Sequence, residues 1–300
     1  MDLYPNHLAS WSRSRVERAV RHRARAVYLG DGVVLARVLG RHKILLRGRD
    51  RGFAGHLMID GFWEIWLTQF FARCLRPGMN AVDVGANFGY HTLLLADAVG
   101  PSGTVIAVEP NPDTVTLLGQ TVALNGLQGR VKVIPHALGA KSGSAFLFAP
   151  EGEPKNALLV DHAKLPGGRT FEVKTLTLDD VTRNGPKIDV VKIDAEGAEV
   201  GVIAGMARLI ARDRPAIALE FNAARYRAPA EFLNLLLASY GDAREMTLDG
   251  NLVPLDFASV TDRSNTTDRY LMFGFDSLRE AVDEPAQPAP GFASGQLLDP

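Results

Sequence analysis

The sequence predicts an α/β fold built on a mostly parallel sheet, and three observations carry that prediction. Strand-like and helix-like runs alternate from Phe62 to about Phe275, the order of strands joined by helical crossovers. Asp189 to Ile193 and Ala216 to Glu220 read as buried strands, the first apolar on both faces, as a parallel strand covered on both sides must be. A strand at Ala81 to Val84 runs into a glycine-bearing turn and then a helix start, the local layout of a ligand-binding strand end in an open sheet.

The elements follow in order. Ala26 to Leu29, Val33 to Val38 and Lys43 to Leu46 are short β-like runs, with Asp31-Gly32 as a hairpin turn between the first two. Trp63 to Leu75 predicts a helix: Trp63, Trp66, Leu67, Phe70, Phe71 and Cys74 recur at helical spacing, and Pro77-Gly78 stops it. These aromatics read as core rather than a ligand cage. A helix from about Tyr90 to Val99 and a strand at Thr104 to Val108 come next. Asn111 can cap the following helix, Pro112 suits its first position, Asp113 complements its positive end, and Gly126 ends it. Strands are expected at Val131 to Pro135, Ala145 to Phe148 and Phe171 to Thr175, and one helix from the end of Asp189 to Ile193 as far as about Ala211. A helix over Pro229 to Tyr240 precedes an antiparallel pair, Arg244 to Leu248 with Tyr270 to Phe275. There is no internal repeat. The division is a basic, β-containing extension over residues 1–60, a main domain over 61–280, and a Pro-, Ala- and Gly-rich tail over 281–300 expected to be disordered.

Composition narrows the function. The chain has 300 residues, 46% of them hydrophobic, which suits one sizeable domain with additions or two small ones. Its 33 basic and 34 acidic side chains leave a net charge of -1, so no basic field predicts a nucleic-acid partner. Cys74 is the only cysteine, which excludes an internal disulfide and fits a cytoplasmic protein. No apolar run reaches the roughly 20 residues of a membrane span, and Met1 to Ser10 lacks the apolar core of a signal peptide. The arginine-rich stretch Trp11 to Arg25 reads as a solvated helix face, with a membrane-surface helix as the alternative.

The segment Val82-Asp83-Val84-Gly85-Ala86-Asn87-Phe88-Gly89-Tyr90-His91-Thr92 carries the most chemistry. It sets an acid at a strand end, then a turn whose Gly85 and Gly89 admit close approach to the backbone. The next strand ends in Val108-Glu109, and an acid there can accept from both hydroxyls of a ribose. A nicotinamide-dependent oxidoreductase wants G-x-G-x-x-G to seat a pyrophosphate. Here the glycines stand four apart, and Asp83 would repel that group. An acid at Asp83 suits a cofactor with an ammonium and no phosphate, such as S-adenosylmethionine. The bland alternative makes Asp83 a capping acid.

With VDVGANFGYHT, VIAVEPNP, ALNG, VIPHALGAKSG, TLDD, VVKIDAEGAEVGVIAGM and P-x-I-x-L-E in unbroken order from about Gly61 to Glu220, the chain resembles the FkbM family of methyltransferases. The resemblance implies a Rossmann-like, seven-stranded sheet with helices on both faces and an antiparallel last strand. It implies Asp83, Gly85, Asn87, Gly89, Glu109 and Pro110 around S-adenosylmethionine, with His136-Ala137-Leu138 bordering the adenine. It also implies a small-molecule or glycan acceptor, methylated on a sugar or polyketide-type hydroxyl.

The second cluster is Lys192-Ile193-Asp194-Ala195-Glu196-Gly197-Ala198-Glu199, at the end of the strand beside the first. Transfer to a hydroxyl needs the acceptor placed and its proton removed. Asp194, Glu196 and His91 are the candidates, set against a helix-capping Glu196 and a surface His91. Asp194, Glu220 and Asn222 offer oxygen ligands of the kind a hard divalent cation takes, but no metal is expected. Glu64, after Asp60-Gly61, either reaches the site or simply opens a helix. Lys192, in a buried strand, requires a carboxylate partner that the sequence does not name. The remaining alternative is a protein that binds the cofactor without turning it over.

Overall fold

The computed structural model describes residues 2–50, 52–151, 157–160, 165–275 and 278; the tail expected over 281–300 lies outside the described residues. The N-terminal region holds helices α1 (Pro5–Ser10) and α2 (Arg13–Arg23), strands β1 (Ala26–Gly30), β2 (Val33–Val38) and β3 (His42–Arg47), and helix α3 (Phe53–Ile59). Its three strands form an antiparallel sheet, β1-β2-β3. Asp31 and Gly32 join the first two at φ 48° and 72°, the left-handed pair that a two-residue hairpin turn needs.

Helix α4 (Ile65–Cys74) leads into β4 (Asn80–Val84), α5 (Tyr90–Ala98), β5 (Thr104–Val108), α6 (Pro112–Leu124) and β6 (Val131–Ile134). Helix α6 starts as its sequence predicts: the Asn111 side chain accepts the Asp113 N–H at 3.1 Å, with Pro112 in the first turn. An insertion follows. Strands β7 (Ala137–Leu138), β8 (Gly143–Pro150), β9 (Leu158–Val160) and β10 (Gly168–Leu176) make a separate four-stranded sheet ordered β7-β10-β8-β9. The chain returns through α7 (Leu178–Thr182), β11 (Val190–Ile193), α8 (Glu199–Ala204), α9 (Ala207–Asp213), β12 (Ala216–Phe221), α10 (Pro229–Tyr240), β13 (Arg244–Met246), β14 (Leu252–Pro254), α11 (Phe257–Thr261) and β15 (Arg269–Phe273).

The main sheet has eight strands in the order β14-β13-β15-β12-β11-β4-β5-β6. The expected seven strands are joined by the short β14, which folds back on β13. Strands β6, β5, β4, β11 and β12 are mutually parallel, and β15 enters antiparallel between β12 and β13. The single helix expected up to Ala211 is two helices. They part at Gly205, where a Cβ would collide with the Gly139 carbonyl oxygen of the insertion, so a glycine and a break are needed to let that loop pass.

Each face of the sheet packs its own core. Leu45 and Leu46 of the N-terminal region, Leu67 and Phe71 of α4, and Leu94 of α5 cover one face against Ala81, Ala107 and Ala218. Ile203, Leu209, Leu233 and Leu236 cover the other against Val82, Val191 and Ile217. The strand register then sets the site. Val84 pairs with Val108 and with Ile193, and Ile193 pairs with Leu219. The next residue on each strand, namely Glu109, Gly85, Asp194 and Glu220, therefore stands in one row along the carboxyl edge.

A buried polar clasp ties β3 to α5 and α6. His42 is 4% exposed; its Nε2 lies 2.6 Å from Asp97 Oδ2 and its Nδ1 lies 3.1 Å from Asn125 Oδ1. The Asn125 amide is oriented by donating to the carbonyls of Lys43 at 2.6 Å and Thr121 at 2.8 Å. Replacing His42 by Ala strips buried groups of their partners, so it is expected to cost about 1–3 kcal/mol. A His42→Ala protein that unfolds at the wild-type urea midpoint would show that the clasp contributes nothing.

Candidate active site

The row of strand ends opens into a cavity of about 1010 Å³, counting its mouth. The turn after β4 forms its floor. Gly85 (φ 74°) cannot carry a Cβ, which would strike the Asp194 carbonyl oxygen. Its glycine serves packing between two strand ends as well as access from the cavity. Glu109, 7% exposed, accepts the Asn87 N–H at 2.8 Å on one carboxylate oxygen and the Asn111 N–H at 2.9 Å on the other. Each oxygen keeps one lone pair for a further donor. Burial outweighs those two backbone donors and pushes the Glu109 carboxyl up to about 7. Pro110, Asn87, His136, Ala137 and Leu138 continue the wall on this side, and Leu147 and Leu159 of the inserted sheet close it.

Asp83 stands elsewhere than the sequence suggested. It is fully buried beneath the turn and forms no part of the cavity wall. One of its oxygens accepts the Thr92 hydroxyl at 2.6 Å, and the other lies 3.5 Å from the Lys192 ammonium. Lys192 is 2% exposed and also lies 3.2 Å from Asp194 and 3.4 Å from the Gly85 carbonyl. Burial alone would lower the Lys192 pKa, but Asp194 and Asp83 more than offset it, and the ammonium is held well above its ordinary range. Gly89 is likewise off the wall: it starts α5 at φ 101°, and a Cβ there would sit 2.7 Å from Leu118 of α6. Helix packing, not ligand access, requires that glycine.

At the other end of the cavity the carboxylates gather. Oxygens of Asp194, Glu196 and Glu220 all lie within 4.8 Å of one another. Burial tends to raise the Asp194 carboxyl, yet the Lys192 charge and hydrogen bond bring it below the ordinary range. Glu220 moves the opposite way: burial and the Asp194 charge push it up to about 10. Arg225, on the short turn after β12, bridges Glu196 at 3.1 Å, Glu220 at 2.7 Å and Asp268 at 3.0 Å. Asn222 faces away from this group. Its amide donates to the Thr266 carbonyl and Asp268, and its oxygen caps the turn at Ala224, so the third oxygen donor beside Asp194 and Glu220 is Glu196.

Glu196 sits at φ 49° and does not cap the next helix. Glu199 shapes that loop instead, accepting the N–H groups of Ala195 at 2.9 Å and Gly197 at 3.1 Å while Tyr226 donates its hydroxyl at 3.1 Å. His91 is a buried wall residue rather than a surface one. Its Nε2 lies 3.6 Å from Glu64, and burial followed by the Lys192 charge lowers its pKa to about 3, so the imidazole is neutral at physiological pH. Glu64 also lines the cavity, at φ 40°, and accepts the Tyr270 hydroxyl at 3.2 Å. Two aromatics join the wall that sequence reasoning assigned to the core or did not single out. Trp63 lies just ahead of α4, and Phe53 of α3 meets it edge-on with centroids 5.2 Å apart. Helical spacing groups Trp63 with the core stripe; only the start of α4 at Ile65 frees it.

Residues 83–244, more than half of the chain, match the model of the Methyltransferase FkbM domain. The chain belongs to this family. Hexuronic acid methyltransferase AglP of Haloferax volcanii is 32% identical over 172 residues, covering 52% of this chain and 65% of that protein. Methyltransferase sdnD of Sordaria araneosa is 27% identical over 154 residues, covering 42% and 59%. The chain thus spans less than two thirds of the length of these curated relatives. A crystal structure of Methyltransferase FkbM from Methylobacillus flagellatus aligns with a TM-score of 0.45 at 17% identity, over 70% of this chain and 53% of that one. The matched domain is that of a methyltransferase family. The nicotinamide reading draws no support from these matches. Among the described residues no helix is long and apolar enough to cross a membrane.

Removing the Asp83 carboxylate leaves the buried Lys192 ammonium with Asp194 as its one remaining anionic partner within 4 Å among the described residues, and breaking a buried ion pair costs up to about 3–5 kcal/mol. Asp83→Ala is therefore expected to behave chiefly as a folding mutant. Chemical denaturation decides this: a variant with unchanged stability that merely loses the cofactor would return Asp83 to the ligand.

Proposed function

We propose that this protein is an S-adenosylmethionine-dependent methyltransferase that transfers the methyl group to a hydroxyl oxygen of a sugar, glycan or similar hydroxylated small molecule in the cytoplasm. The observation that carries this reading is the ionised Asp194 carboxylate, grouped with Glu196 and Glu220 on the cavity wall. Such a group accepts hydrogen bonds from an alcohol and can take its proton. The aromatic surfaces of Trp63 and Phe53 beside these acids suit the mixed apolar and hydroxylated faces of a sugar ring. Phe53 belongs to the first sixty residues, so the N-terminal extension would help to form the acceptor wall. The hexuronic acid named for AglP agrees with a sugar. A single cysteine, the buried Cys74, agrees with a reducing compartment.

The residues present fit the cofactor. Glu109 has lone pairs left for two ribose hydroxyls, and the positive-φ turn at Gly85 and Asn87 exposes backbone to it. Pro110, His136 and Ala137 would border the adenine, and the acids at Asp194, Glu196 and Glu64 suit the cationic end. When bound, S-adenosylmethionine supplies an electrophilic methyl on a sulfonium. Asp194 would orient the acceptor hydroxyl and receive its proton as the oxygen–carbon bond forms. Glu196, braced by Arg225, would hold a neighbouring hydroxyl, and the neutral imidazole of His91 would hydrogen-bond without adding a cation.

Two measurements test the reading. Because the Glu109 carboxylate forms as pH rises through about 7, the Kd for S-adenosylhomocysteine should fall by up to about ten-fold between pH 6 and pH 8. Glu109→Gln should flatten that dependence; a wild-type Kd indifferent to pH would detach Glu109 from the ribose. Release of S-adenosylhomocysteine should be screened with methyl glycopyranosides and with phenols. Asp194→Asn is expected to lower kcat by about 10²–10⁴ while S-adenosylmethionine still protects the fold. Turnover with no hydroxylated acceptor, or full activity of Asp194→Asn, would overturn the proposal.

A further inference from the structure

Glu220 ends the strand next to Asp194, and its surroundings make it an unusual carboxyl. It is 8% exposed and comes from a strand whose six residues are all buried. The groups facing it come from four places. Asp194 and Glu196 stand at the end of β11, Arg225 and Tyr226 on the turn after β12, Asp268 just before β15, and Tyr270 on β15 itself. Three of the four carboxyls, Glu196, Glu220 and Asp268, thus share the guanidinium of Arg225, while the fourth, Asp194, shares Lys192 with Asp83. So many close carboxyls cannot all ionise at low dielectric. The most buried of the four, Glu220, which has to share Arg225 with Glu196 and Asp268, keeps a proton, and it can share that proton with the adjacent Asp194 carboxylate, as coupled acid pairs do.

We infer that Glu220 carries this proton while hydrogen-bonded to Asp194, and surrenders it to solvent when the cationic methyl donor enters the cavity. The inference rests on the proposed reading of the cavity and assigns Glu220 a role within it. Burial and the Asp194 charge hold Glu220 up to about 10. A sulfonium and an ammonium nearby favour the ionised form and bring its pKa down, typically by 1–3 units for an opposite charge within a few ångströms. The balance is simple. The neutral carboxyl becomes a carboxylate, one proton passes to the buffer, and no other bond changes. The result is a paired dianion, Asp194 and Glu220, which is a stronger base than Asp194 alone. The base would then exist only while the donor is loaded, and the chain would not keep two adjacent unshielded carboxylates otherwise.

The test counts protons by calorimetry. Binding enthalpies are measured at pH 8.5 in buffers of different ionisation enthalpy, and the slope gives the protons released. At that pH Glu109 is already ionised. S-adenosylmethionine should release about half a proton or more; S-adenosylhomocysteine, which lacks the sulfonium, should release clearly fewer. Glu220→Gln keeps a neutral hydrogen-bond donor toward Asp194 and should abolish the difference while still binding both compounds. Should Glu220→Gln not fold, the infrared carbonyl stretch of a protonated carboxyl in the wild-type protein should fade on adding S-adenosylmethionine and persist with S-adenosylhomocysteine. Equal proton release by the two compounds, a difference that survives Glu220→Gln, or an unaltered carboxyl band would overturn the inference. Failure of either compound to bind would instead strike at the cavity assignment itself.

Discussion

Lys192 places a charge where a sheet normally has none, and much of the molecule is arranged around it. It is paired across the sheet with Asp83, and the same row continues as Ala107 on one side and Ala218 on the other. All four residues are at most 2% exposed. The flanking alanines are small and apolar, so the ion pair must solve its own desolvation with what lies above it: Asp194, the Gly85 carbonyl and Thr92. A buried pair of this kind is a poor source of net stability but a strict one of geometry, because a shift of register would leave a bare charge in the core. Holding β4 and β11 in that register lines up the strand ends at Gly85, Glu109, Asp194 and Glu220, and the cavity follows.

Above that layer the wall is built with backbone strain. Glu64, Asn87 and Glu196 are three of the six non-glycine residues at positive φ among the described residues, and all three line the cavity. Asn adopts this region readily; glutamate does not, at about 1–2 kcal/mol per residue. Glu64 and Glu196 are nevertheless held there, by Tyr270 and by Arg225 with the Glu199-bonded loop. Strain that persists at two acids facing one cavity marks a place where position matters more than comfort.

The readable parts of the sequence were those decided locally. Asn111, Pro112 and Asp113 announce a helix start because capping involves neighbours in the chain. The place of Glu109 on the cavity wall was legible because a residue at a strand end is positioned by that strand's own geometry. The unread parts depend on distant chain. Asp83 belongs to Lys192, more than a hundred residues away, and only sheet order brings them together. Gly205 breaks a helix for the sake of the Gly139 loop, and nothing local announces it. Trp63 shares the spacing of a core stripe and leaves it only because α4 begins two residues later. Glu199, not the more conspicuous Glu196, folds the loop between them because it reaches backwards to Ala195.

The placement of β15 has a consequence for how the chain can be made. It is the last strand among the described residues, yet it fills an interior position between β12 and β13. A ribosome delivers β12 some fifty residues earlier, with every residue destined for burial and one edge still open. Until Arg269–Phe273 emerges, that edge is an apolar template to which any strand could add. Completion of the sheet therefore has to wait until well after β12 has been made. The Asp268 carboxylate that meets Arg225 reaches the active site on the same late segment, so the fold and the charge pattern at the cavity are finished together.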